Sequence, residues 1–155
     1  MTIPDPGRRL LTARILAAAL AVGPVLMWIV SWFVVHASGG GLASDAPLTP
    51  GAAMSAWGVA AVLGFGGALL LRSRAREAAR EARRASGVEE AAPAHDRVQV
   101  LLVLAWALLE APAILAGAFY LMLGDSDLIV AAAPVLAFGV LLTFPRPEWF
   151  PTPRG

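Results

Sequence analysis

One stretch narrows what this chain can fold into more than any other: Val98 to Met122, VQVLLVLAWALLEAPAILAGAFYLM, a 25-residue apolar run with a single carboxylate, Glu110, at its midpoint. As a helix rising about 1.5 Å per residue, the run reaches about 37 Å, more than the roughly 30 Å hydrocarbon core of a bilayer. Glu110 then falls near mid-membrane, too deep to snorkel. A carboxyl there is protonated, bonded to a partner or facing a wet cavity. It is the only acidic residue in any of the apolar runs and is the first candidate site.

Three further runs have the same character: residues 15–35, 52–71 and 128–144, the last at the short limit for a span. Hydrophobic residues make up 58% of the 155, above the ~45 to 50% of soluble domains. The expected fold is an all-α integral membrane protein. It is a single domain over residues 1–155, a four-transmembrane-helix bundle with a helical cytoplasmic extension between the second and third spans. The first run has a competing reading as a cleavable signal peptide, with Arg8 and Arg9 as its basic start and Val35-His36-Ala37 as a loose cleavage site. Its 21 residues exceed the ~7 to 15 of a signal core and favour a retained helix. Trp28, Trp32 and Phe33 crowd its distal end, as an interfacial aromatic belt would.

Between the spans, Met1 to Arg14 reads as a short polar arm with Pro4 and Pro6. His36 to Gly51 reads as a Gly, Ser and Pro turn region, ending in Thr49-Pro50, which can cap and start a helix. Small residues recur every four positions in the second span, at Ala52, Ala56, Ala60, Gly64 and Ala68, a pattern that admits a close neighbouring backbone. Arg72 to Ala85, rich in Ala, Arg and Glu, is expected to prolong the second helix until Ser86-Gly87 stops it, with Pro93 near the start of the third span. The tail from Pro145, with Trp149 and Phe150 among four prolines, is expected to lie at or leave the interface without a stable helix.

All twelve basic residues are Arg. Arg8, Arg9 and Arg14 precede the first span, Arg72, Arg74, Arg76, Arg80, Arg83, Arg84 and Arg97 lie in the long loop, and Arg146 and Arg154 follow the fourth. With four spans they all fall on one side, while Asp45, Asp125 and Asp127 fall on the other. The positive-inside rule then puts both termini in the cytoplasm of a bacterial inner membrane. Arg72, Arg74, Arg76, Arg80, Arg83 and Arg84 are expected to attract anionic lipid headgroups. Nucleic acid is not an expected partner, because the basic helix is tethered to a bilayer and interspersed with Glu77, Glu81, Glu89 and Glu90. There is no Cys, and His36 and His95 fall on opposite sides, so no metal or other cofactor is expected. P-loop, nucleophile-elbow and zincin motifs are absent, and no enzyme activity is expected.

Pro112 has no N–H, which frees the Leu108 carbonyl, and Pro24 and Pro134 do the same for Leu20 and Val130. A neutral Glu110 can donate to such a carbonyl and anchor packing. The alternative is proton binding or relay. Trp106, Ala113 and Gly117 share its helix face by three-, four- and seven-residue spacing, and the small stripe of the second span is the expected neighbour on that side. The central hairpin, GVAAVLGFGGALLLR followed by LLVLAWALLEAPAILAGAFYLMLG, resembles the proteolipid c subunit of rotary ATP synthases. That resemblance implies that Glu110 binds a transported ion and that Gly58, Gly64, Gly66 and Gly67 belong to the Gly-rich inner helix. The whole chain also resembles four-span bacterial inner-membrane proteins of unknown role with a Leu-Leu-Glu-Gly/Ala-Pro segment. A second copy of the chain or another membrane-complex component is the expected protein partner.

Overall fold

The computed structural model describes residues 6–43 and 48–152; Pro4, Asp45 and Arg154 lie outside them. Four helices follow in order, α1 (Pro6–Ser38), α2 (Pro50–Arg84), α3 (Val88–Leu123) and α4 (Asp127–Thr143), and then a 3-10 turn, Pro147–Trp149. No strand occurs among the described residues. α1, α2 and α3 are long and apolar enough to cross a membrane, and α4 is a shorter apolar helix of 17 residues. The three long helices have 33, 35 and 36 residues. At about 1.5 Å per residue each exceeds a ~30 Å hydrocarbon core, so part of each must project into water. Large apolar side chains stand on the outside, among them Leu63 (70% exposed), Val130 (69%) and Leu141 (69%). Apolar surface on this scale needs lipid as its solvent, and every helix satisfies its own backbone there. The chain is a multi-pass helical membrane protein.

α3 is the central helix and packs against each of the other three. At one end of the bundle, Ala13 and Ala17 of α1, Ala75 and Ala78 of α2, and Val98 and Leu102 of α3 cluster with Trp149 and Phe150. At the other end, Ala53 and Trp57 of α2, Ala116 of α3, and Leu128 and Ala132 of α4 form a second cluster. The start of α1, the α2–α3 turn and the tail therefore share one end.

Local chemistry explains the boundaries. Thr49 Oγ1 accepts the Ala52 N–H at 3.2 Å, with Pro50 at the first helical position. α2 does continue past the apolar run to Arg84, and α3 begins at Val88 beyond Ser86-Gly87, so Pro93 lies inside α3. α3 stops at Gly124, whose φ of 71° is the left-handed cap geometry and whose N–H reaches Tyr120 O at 2.7 Å. The N–H groups of Leu42 and Ala43 donate to the Leu121 and Met122 carbonyls, each at 3.0 Å, occupying acceptors that a helix end leaves open.

Three expectations need correction. The segment before Arg14 is not a polar arm from Pro6 onward: it is the first turns of α1, and Arg9 is buried in an ion pair with Asp96 of α3. The tail, expected to lie at or leave the interface, folds back against the bundle as far as residue 152, with a 3-10 turn at Pro147–Trp149. Trp149 is 1% exposed and Phe150 4%, because α4 is too short to cover α3 and the tail continues the cover to the level of His95, whose Nε2 lies 3.1 Å from Pro151 O. The buried face of α2 coincides with the expected stripe only at Gly64 and Ala68. Ala52 and Ala56 are exposed and Ala60 half-buried, while Ala53, Trp57, Ala61, Gly64, Ala68, Ala75, Ala78, Ala79 and Ala82 face inward. A strict four-residue step turns about 400°, so it drifts by about 40° each time, and only a mixture of three- and four-residue steps stays on one face.

Candidate functional site

Glu110 is half-buried on α3, where α3 meets α1 and α4. It borders a narrow apolar cavity of about 10 Å³, lined also by Ala17, Leu20, Trp106 and Leu136. A Cβ placed on Gly23 of α1 would lie 2.8 Å from Glu110 Oε1, so the tip of the carboxyl rests against the bare backbone of Gly23. Among the described residues none donates a hydrogen bond or ion pair to this carboxylate. Its neighbour across the interface is therefore α1 and not the small-residue stripe of α2. In this the molecule also differs from the arrangement that the c-subunit resemblance implied, with a Gly-rich helix facing the acid.

Pro112 organises the opposite side. α3 is continuous through it, and Gly64 of α2 comes so close that an added Cβ would collide with the Leu108 carbonyl, with Pro112 Cγ and Cδ at 3.4 Å. That carbonyl is the one that Pro112 deprives of its helical donor. Two tryptophans hold the next turn of backbone: Trp57 Nε1 donates to Pro112 O at 3.0 Å and Trp28 Nε1 to Ala113 O at 2.7 Å. Gly117 makes room for the second indole, since a Cβ there would sit 2.9 Å from Trp28 Cδ1. Ala113 and Gly117 are thus brought together with α1. Trp106 is buried beside the Glu110 cavity and donates to Thr143 O at 3.3 Å, tying α3 to the end of α4.

Sequence reasoning missed Gly23, Trp28 and Trp57 as members of this region. The Gly23-Pro24 pair in the middle of a span was a usable signal for the first. Trp28, whose position in the sequence suggests an aromatic belt, bonds α3 instead, and only Trp32 (47% exposed) and Phe33 (62%) are free to serve in one.

The polar end has its own organisation. Arg76, Arg80 and Arg83 line a cleft of about 240 Å³ between α2 and the tail turn, together with Ala79, Glu148 and Trp149. Arg74 lies on another face with Glu77, Glu81 and Arg97, where Arg97 and Glu81 pair at 2.9 Å. His95 lies in the polar segment before the apolar run of α3, and burial pushes its imidazole below the usual range despite the bond to Pro151 O. His36 lies at the far end of α1, and among the described residues no three His, Asp or Glu side chains gather as a metal site would require. Comparison with family models, with curated proteins and with solved structures finds no match for this chain.

Proposed function

We propose that this is a four-span protein of the bacterial inner membrane with cytoplasmic termini. Its role is non-enzymatic, packing or assembling within the membrane, and Glu110 is a polar anchor between α1 and α3. The observation that carries this reading is the fit of the Glu110 carboxyl against Gly23, with Leu20 lining the same cavity. The Leu20 carbonyl has lost its helical donor to Pro24, so a neutral Glu110 has an acceptor on α1 to bond. α4 supplies the fourth crossing with its neighbours' help, since 17 residues reach about 25 Å and the bilayer thins locally to match. The shared end for the α1 start, the α2–α3 turn and the tail supports an even number of crossings. Ala56, exposed on α2, is left for a second copy or another membrane component.

Infrared spectroscopy of the reconstituted protein tests the anchor. The Glu110 carbonyl band, identified by its loss in Glu110→Gln, stays constant between about pH 4 and 10 if the group is a static donor. A band that titrates, together with carbodiimide labelling of Glu110, supports the alternative of a proton-binding or relay subunit. That alternative draws on the half-exposed position of the acid at the edge of the bundle.

A further inference from the structure

We infer that the cleft between α2 and the tail turn is a binding site for the phosphate of an anionic phospholipid headgroup. The inference rests on the proposed membrane orientation and makes its diffuse attraction to headgroups a defined site. Arg72, Arg76, Arg80 and Arg83 fall within about 80° of the helix circumference at roughly 100° per residue. Glu77 and Glu81 project elsewhere, toward Arg74 and Arg97. The acids that offset the arginines when charge is counted along the sequence are therefore not on the cationic face. Arg146 of the tail adds a further charge, and Arg72 interacts electrostatically with Arg76, Arg146 and Glu148. Glu148 is the one carboxylate lining the cleft, and none of these five arginines forms an ion pair with a described residue.

The floor supplies a second, independent observation. Trp149 lines the cleft and is 1% exposed, and its Nε1–H has no acceptor; beyond the lining, the buried Arg72 Nε lacks one too. A buried donor without an acceptor is unfavourable, and an anionic oxygen entering the cleft with a small shift of the indole would satisfy it. The depth selects lipid over a free anion. Arg72 directly follows the last apolar residue of the second span, and Arg76 stands about 6 Å further out at ~1.5 Å per residue. Headgroups occupy about the first 5 to 8 Å beyond the hydrocarbon on each side, so the near half of the cleft lies at phosphate depth.

Native mass spectrometry of the full-length protein in detergent, titrated with phosphatidylglycerol, phosphatidylcholine or inorganic phosphate, tests this. Phosphatidylglycerol is expected to be retained in preference to both. Arg76→Gln/Arg80→Gln should weaken its retention about tenfold or more, whereas Arg74→Gln/Arg84→Gln, removing equal charge from other faces, should change it less than about twofold. Trp149→Phe, which keeps the ring and deletes the donor, should fall between the two at unchanged helix content. Equal losses in both double variants, equal retention of the two lipids, or inorganic phosphate competing as well as the lipid would overturn the inference. Failure of the membrane reading is separately visible as release of every variant from membranes by alkaline carbonate.

Discussion

The α2–α3 hairpin passes through two solvents and is held differently in each. In its apolar half the helices meet through a glycine and an indole: Gly64 rests on the Leu108 carbonyl and Trp57 bonds Pro112 O. In its polar half the contact is alanine on alanine, with Ala82, Ala85, Ala91 and Ala94 forming one cluster. Charged side chains are kept to the flanks of that contact, as in the Arg97–Glu81 pair. Lipid gives no hydrophobic drive for two helices to associate, so close backbone approach and hydrogen bonds must do it. Water does give that drive, and in the polar half small apolar faces suffice.

The largest expected effect breaks the apolar half. Gly64→Ala forces a Cβ into the Leu108 carbonyl, a backbone atom that cannot swing aside, and should cost about 2 kcal/mol or more of bundle stability in a detergent-unfolding titration. Gly66→Ala on the same helix meets nothing within 4 Å and should be neutral or stabilise by up to ~1 kcal/mol through helix propensity. Next, Trp57→Phe should cost about 0.5 to 1.5 kcal/mol in the same assay, by removing one donor to Pro112 O while keeping most of the ring.

A smaller effect, confined to the polar end, comes from pH. Burial lowers the His95 pKa while the tail is docked, so His95 binds the extra proton more readily once the tail has undocked. Docking of residues 144–152 is therefore at full strength above the ordinary histidine pKa of about 6.5, and it is lost progressively as pH falls through the lower docked-state value. Hydrogen exchange in the tail should rise on acidification from pH 8 to 5, and a pH-independent tail would remove His95 from this role. The smallest effect sharpens the contrast from the flank: Glu81→Gln, breaking an exposed ion pair, should shift stability by no more than ~0.5 kcal/mol.

Several elements are legible in the sequence. Thr49-Pro50 announced the start of α2, Ser86-Gly87 the turn after it, and the Ala, Arg and Glu content of 72–84 its continuation past the apolar run, all by local rules. The approach of α1 to Glu110 was not legible, because spacing on α3 shows which residues share a face and not which helix arrives there. Trp149 looked like an interfacial aromatic, since nothing in a proline-rich tail reveals the gap left by a short α4. The charge separation on α2 was hidden for a related reason: counted along the chain, Arg and Glu alternate, and only their angles around the axis part them.

By itself the sequence determined an all-helical chain that needs lipid, the places where helices start and stop, and a lone acid buried in an apolar run. These follow from local backbone chemistry and from the cost of putting apolar surface in water or polar backbone in lipid. The tertiary structure alone decided that α3 is the hub, that Gly23 faces Glu110, that the tail closes the polar end and that four arginines share one open face. Each of these is a choice of neighbour, which depends on how surfaces from distant parts of the chain fit together.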